Sequence, residues 1–168
     1  VTLVNASVSV EPPMFVDVVN VTSAADIADV VKSKAAEQDI IIMTAAVADF
    51  CPSHPADEKI KKNDSSYESV IELERTEDIL SYLGAHKAKG QLICGFSMET
   101  QNMLENSKAK LAKKNADMIV ANNLKVAGAG FGTDTNVVTL ITADDCTELE
   151  IMDKSCVAAR IMDRLLQM

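Results

Sequence analysis

"KAKLAKKNADMIVANN", residues Lys108–Asn123, sets two periodicities side by side. Its first half carries lysines at 108, 110, 113 and 114 around Leu111. At about 100° per residue, Lys110, Lys113 and Lys114 share one face while Leu111 turns away. Its second half, Met118–Asn122, is the short apolar run of a strand buried on both faces of a parallel sheet. A helix feeding directly into a buried strand is the repeating unit of an α/β domain.

The same alternation extends outward. Val1–Val4, Ile40–Thr44 and Gln91–Phe96 are further apolar, β-branched runs, predicted as buried parallel strands. Ser23 is placed to cap a helix carrying Ile27, Val30, Val31 and Lys34 at a spacing of three to four. Further helices are predicted over Asp78–Ala88 and over Met103–Asn115, the latter with Leu104 and Leu111 facing inward. The fold class is therefore α/β with a parallel sheet. Two places break the pattern. From Phe50 to Leu73 runs a long polar connection ending in a short strand, Ser69–Leu73. From Val137 to Ile151, two β-rich segments flank the Asp144–Asp145 turn as an antiparallel hairpin. A last helix, Lys154–Met168, has Val157, Ala158, Ile161, Met162, Leu165 and Leu166 on one face.

Composition narrows the function. The 168 residues suit one domain, 1–168, with no interdomain linker. A chain that is 48% hydrophobic but 4% aromatic, without Trp, must build its core from Val, Ile, Leu, Ala and Met. The net charge of −9 argues against a nucleic-acid or anionic-membrane surface, so an anionic ligand must be met by local lysines. The cysteines at 51, 94, 146 and 156 lack metal or CxxC spacing. No apolar run reaches about 18 residues, and the expectation is a soluble cytoplasmic protein. Val1–Val4 already reads as a strand, so a preceding segment of the domain is expected upstream.

Ligands of open parallel sheets sit beyond the carboxyl ends of the strands. That directs attention to Ala45–Asp49, Ser97–Thr100 and Asn122–Asn123. Asp49 either caps a turn or accepts hydrogen bonds from a ligand; Pro52 and Pro55 behind it weaken the capping role. Lys59, Lys61 and Lys62 form either a solvated basic turn or a loop that brings charge to a phosphate or oxyanion. Lys110 and Lys114 are either a solvated helix face or a phosphate clamp. His54 and His86 read as surface residues. Gly128, Gly130 and Gly132 follow a strand but start no helix, so they make no dinucleotide fingerprint. This disfavours a dinucleotide oxidoreductase. A noncatalytic nucleotide-binding module remains an alternative to an enzyme.

AAVADF (Ala45–Phe50), EKIKK (Glu58–Lys62), EDIL (Glu77–Leu80), GFSMET (Gly95–Thr100), KAKLAKKNADMIVANN and FGTDTNVVTLI (Phe131–Ile141) together resemble one family. In that order they look like the phosphopantothenoylcysteine synthetase domain of coenzyme A biosynthesis, the C-terminal half of a bifunctional synthetase/decarboxylase flavoprotein. The resemblance covers essentially the whole chain. It implies a Rossmann-like fold and a ligase that joins 4′-phosphopantothenate to L-cysteine through a CTP-derived acyl-cytidylate. It also implies Mg²⁺ alongside CTP, a cytoplasmic homodimer, and FMN bound only in an attached decarboxylase domain, not in this chain.

Carried over by residue, the resemblance places Met43, Thr44 and Ala45 against cytosine and ribose, with Asp49 also on the nucleotide. Lys59 becomes the loop lysine that closes on the acyl intermediate, the catalytic residue of the expectation. Glu77, Asp78, Ile79, Leu80 and Phe96 complete the CTP pocket, and Lys110 and Lys114 hold the triphosphate. Lys61 and Lys62 keep solvated support roles. The family's Gly-rich N-terminal segment, which precedes VTLV there, is missing from these residues.

Overall fold

The computed structural model describes residues 1–6, 8, 10–56, 58–59, 70–99, 102–123 and 132–168. Its elements run β1 (Thr2–Ala6), β2 (Asp17–Val21), α1 (Ala24–Ala35), β3 (Ile40–Met43), β4 (Phe50–Pro52), β5 (Leu73–Arg75), α2 (Ile79–Ala85) and β6 (Leu92–Glu99). They continue with α3 (Met103–Lys114), β7 (Met118–Asn123), β8 (Thr135–Asn136), β9 (Val138–Ile141), β10 (Cys146–Glu148), β11 (Met152–Asp153) and α4 (Lys154–Leu165). The chain divides into two compact units: Val1–Val30 with Ala46–Asp78, and Val31–Ala45 with Ile79–Met168.

The second unit holds a five-stranded mixed sheet in the order β10-β9-β7-β6-β3. Strands β3, β6 and β7 are parallel, with Met43 level with Gly95 and Phe96 level with Val120. Strands β9 and β10 are added antiparallel, as the hairpin pattern around Asp144–Asp145 predicts. Residues alternate across β7. Met118 and Val120 join Val138, Leu140, Val157, Ile161 and Leu165 in the core beneath α4. Ile119 and Ala121 join Leu111 and Ile141 on the opposite face. Period-two alternation with both faces apolar is what a central buried strand requires. The result is an α/β, Rossmann-like fold with small hairpin additions.

The helices repeat the logic at their own period. α4 buries Val157, Ile161 and Leu165, spaced by four, whereas Met162 and Leu166 of the expected face are exposed. α3 buries Ser107 and Leu111. Leu104, expected to face inward, is 46% exposed, because the buried stripe of this helix passes through Ser107 one turn before Leu111. Asn115 ends α3 in the left-handed region at φ 48°, a conformation Asn tolerates better than most residues.

The first unit is built from two-stranded sheets. β1 and β2 pair in parallel, so Val1–Val4 finds its partner in β2, a strand the sequence pattern did not reveal. β4 and β5 pair antiparallel, so the described part of the expected short strand, 70–73, enters a strand only at Leu73, which continues to Arg75; Ser69 lies outside the described residues. The cap of α1 is reciprocal: Asp26 N–H donates to Ser23 Oγ at 3.1 Å, while the Asp26 carboxylate accepts Ser23 N–H at 2.9 Å.

Candidate functional site at the parallel strand ends

In the second unit, Ile79, Leu80, Phe96, Lys110 and Lys114 of the expected site lie on α2, β6 and α3, and Met43, Thr44 and Ala45 at the end of β3. Lys110 and Lys114 lie one turn apart on α3 and are both half-buried. Lys110 Nζ donates to the Phe96 carbonyl at 2.8 Å, and Lys114 Nζ donates to Ser81 Oγ at 3.0 Å. Both ammonium groups are thus turned toward protein oxygens of β6 and α2. Each is also a strong partner for an incoming anion.

Close packing of α2 against α3 fixes this arrangement. A Cβ on Gly84 would collide with the Lys114 carbonyl, and Asn115 Nδ2 donates to the Gly84 carbonyl at 2.7 Å. Leu80 lies over Gly95: a Cβ there would meet Leu80 Cδ2 at 2.6 Å. Ile79, at the start of α2, is 4% exposed and belongs to the core. Phe96 is half-buried against the α4-side core, so its carbonyl rather than its ring meets Lys110. Met43 ends β3 half-buried, and Thr44 and Ala45 follow it exposed.

The first unit carries the remaining expected residues. Asp49 is exposed, and its carbonyl accepts the Thr76 N–H at 3.0 Å. Lys59, Glu77 and Asp78 are exposed. Lys61, Lys62 and the glycines at 128 and 130 lie outside the described residues. His54, 4.0 Å from Glu72, and His86, whose Nδ1 lies 2.8 Å from the Tyr82 carbonyl, are exposed surface residues as read from sequence.

Sequence reasoning missed Ser81, Ser107 and Gly84. Ser107 could have been found from its spacing of four to Leu111; the other two carry no signal before α2 and α3 are known to touch. At the β7 exit, Asn136 Nδ2 donates to Asn122 Oδ1 at 2.8 Å, tying the strand end to β8. An open groove of about 560 Å³ lies elsewhere, between β10 and α4, lined by Leu140, Leu149, Arg160 and Arg164 among others. It includes none of the expected site residues.

The fold and the placement of the lysines define a Rossmann-like α/β domain that presents ammonium groups beside a parallel strand. The chain belongs to the family described as the DNA/pantothenate metabolism flavoprotein C-terminal domain, whose pattern matches residues 1–168. It is 44% identical over 168 residues to a cysteine/cysteine sulfinic acid decarboxylase from an unknown prokaryotic organism, covering 99% of this chain and 46% of that protein. It is 44% identical over 167 residues to the coenzyme A biosynthesis bifunctional protein CoaBC of Bacillus subtilis (strain 168), covering 98% of this chain and 40% of that protein. The chain thus spans under half the length of these curated relatives. Among solved structures, it matches the C-terminal domain of a CoaBC protein at 40% identity and a TM-score of 0.79, covering 99% of this chain and 74% of that one. A DNA/pantothenate metabolism flavoprotein from Streptococcus pneumoniae shares the fold at a TM-score of 0.77 and 15% identity, covering 99% of this chain and 79% of that one.

These findings correct what the resemblance implied about chemistry. The family is described as that of a flavoprotein, a 44% relative is named as a decarboxylase, and neither description carries a ligase or CTP. The assignment to the synthetase domain and the CTP-dependent ligation of 4′-phosphopantothenate with L-cysteine are set aside. So are CTP and Mg²⁺ as its reagents, and the placing of FMN outside this chain. The physical reason is that the quoted motifs mark the family and its lysines, and an ammonium group meets a phosphate in the same way whichever molecule bears it. Relatives of this chain include bifunctional proteins of coenzyme A biosynthesis.

A flavin needs cations for its phosphate and a flat apolar slot for its rings. Lys110 and Lys114 suit the first need. The glycine opening at Gly95 does not supply the second, because Leu80 fills it. At this place the described residues do not fit the whole of FMN. No helix among the described residues is long and apolar enough to cross a membrane.

Proposed function

We propose that this chain serves coenzyme A biosynthesis as the C-terminal domain of a cytoplasmic bifunctional flavoprotein. In this reading Lys110 and Lys114 receive the phosphate of a pantothenate derivative. The observation that carries the proposal is the pair of ammonium groups, each anchored on a protein oxygen beside β6. A preorganised ammonium meets an anion with less loss of side-chain freedom than a solvated one. The reaction class supported by the name of one relative is decarboxylation. The flavoprotein that this domain completes would release CO₂ from the carboxylate of a cysteine-bearing pantothenate derivative.

Met43, Thr44, Ala45, Leu80 and the Phe96 carbonyl are proposed to line the ligand in the second unit. In the first unit, taken by itself, Asp49, Lys59, Glu77 and Asp78 are proposed as ligand-facing residues, Lys59 as the charge-bearing one. A homodimer is part of the proposal.

Titration calorimetry with 4′-phosphopantothenate tests the phosphate site. Lys110→Ala with Lys114→Ala should weaken binding at least tenfold, with a smaller dependence on salt. Unchanged affinity would sink the phosphate reading. Release of CO₂ from carboxyl-labelled 4′-phosphopantothenoylcysteine, with FMN supplied, tests the reaction class. Tight binding of a nucleoside triphosphate without CO₂ release by the full-length flavoprotein would overturn it.

A further inference from the structure

Ser97 of β6 and Ser107 of α3 are 4% and 0% exposed, and their hydroxyl oxygens stand 2.8 Å apart. They form a buried polar link between helix and strand. Among the described residues no buried side-chain polar atom lacks a partner, so the two hydroxyls lie within a fully satisfied interior. Replacing both partners of a buried hydrogen bond by apolar groups of the same shape is close to neutral for stability. Folding alone therefore does not call for this pair.

A directional bond does what an apolar contact cannot: it fixes how far α3 is advanced along β6. Sliding the helix by one residue would orphan both hydroxyls and leave each buried without a partner, which is costly. The next link along the same two elements is functional. Phe96, beside Ser97 in β6, accepts its hydrogen bond from Lys110, three residues beyond Ser107 in α3. Leu111, one turn beyond Ser107, anchors the same helix face in the core.

We infer that Ser97 and Ser107 are positioning residues for Lys110: their bond sets the register of α3 on β6 that brings the Lys110 ammonium to the Phe96 carbonyl. The inference rests on the reading of Lys110 as a phosphate partner and extends it to two residues that touch no ligand.

A thermodynamic cycle with 4′-phosphopantothenate as probe separates the two claims. Ser97→Ala with Ser107→Ala should unfold in urea near the wild-type midpoint yet bind the probe about fivefold more weakly. Its salt dependence should shrink as it does in Lys110→Ala. Adding the serine substitutions to Lys110→Ala should cost nothing further, because the hydroxyl pair acts through that ammonium. Should the double variant lose cooperative unfolding, Ser107→Cys keeps a weak donor at nearly the same volume, and the same direction of change is expected. Wild-type affinity and salt dependence in the serine variants, with Lys110→Ala weakened, would overturn this inference alone. So would serine losses that multiply with the loss from Lys110→Ala. Wild-type affinity in Lys110→Ala would overturn the phosphate reading itself, and this inference with it.

Discussion

The two units of the chain solve the burial problem to different extents. In the second, β7 is apolar on both faces and Met118 to Ala121 are inaccessible to solvent. In the first, Phe15 is 98% exposed, and Met14, Val70 and Ile71 are also open to solvent. Among the described residues its strands pair in twos, an arrangement that is marginal by itself in water. The difference bears on function, because the half-buried ammonium groups stand on the packed unit while Asp49 and Lys59 stand on the exposed one. A packed helix holds a charge in place; an exposed loop leaves it adjustable.

Core truncation is the most severe test of that contrast. Ile119→Ala in β7 should lower stability by about 2–5 kcal/mol, through lost transfer energy and the cavity left behind. Phe15→Ala should stay within about 0.5 kcal/mol, since the ring buries almost nothing in its own unit. Urea unfolding of both variants reads the difference. Equal losses would break the comparison.

Gly84→Ala probes the same packing on a smaller scale. The added methyl meets backbone, the Lys114 carbonyl, rather than a flexible side chain. Overpacking of this kind costs about 1–3 kcal/mol. Because the clash pushes α2 from α3, the Lys114–Ser81 bond should lengthen and probe affinity fall together with stability. A variant that loses stability but keeps full affinity for 4′-phosphopantothenate would uncouple the α2–α3 contact from the site.

How legible all this is in the sequence follows the same division. The strands β3, β6 and β7, the hairpin β9–β10 and the four described helices are readable because burial imposes periods of two or of about 3.6 residues on their apolar positions. β2, "DVVNV", was missed because it is short and mostly exposed, so burial leaves only a weak pattern on it. Leu104 was misassigned for the opposite reason: an apolar residue marks a buried stripe only on average, and here the stripe runs through Ser107. At the site, lysines on one helix face were visible from spacing. Their anchors, Ser81 and the Phe96 carbonyl, were not, because they come from other elements. The reaction could not be read from these residues either, since ammonium groups report the charge of a ligand and not its chemistry.

Cysteine reactivity separates interior from surface chemically. Burial, and then the nearby Asp117 carboxylate, push the Cys94 thiol up to about 12. Cys156 lies exposed on α4. At pH 8, iodoacetamide followed by mass spectrometry should label Cys156 and leave Cys94 unmodified until the protein unfolds. The sign for stability follows. Between roughly pH 9 and 12 the unfolded chain releases the Cys94 proton while the folded chain retains it, so stability should fall as pH rises through that window. Rapid labelling of Cys94 in the folded protein would show the second unit to be open where it is described as closed.

The smallest effect should be one in which the two units behave alike. Asp26, in the first unit, has its carboxyl lowered below the ordinary value by the Ser23 side chain and then by the Thr22 and Ser23 N–H groups. Asp145, in the second, is lowered by the Thr147 hydroxyl, then by the Cys146 N–H and, more weakly, by Arg164. Both are exposed carboxylates held by local hydrogen bonds, so neither draws on the packing that distinguishes the units. A depressed folded-state pKa contributes stability that is present above the unfolded value of 3.8 and is lost as pH falls through the folded one. Asp26→Asn and Asp145→Asn should therefore each lower Tm slightly at pH 6, and the difference from wild type should vanish in strong acid. If only the Asp145 variant showed this acid-dependent loss, the first unit's cap would not be formed in solution. The contrast between the units would then extend from packing to local hydrogen bonding.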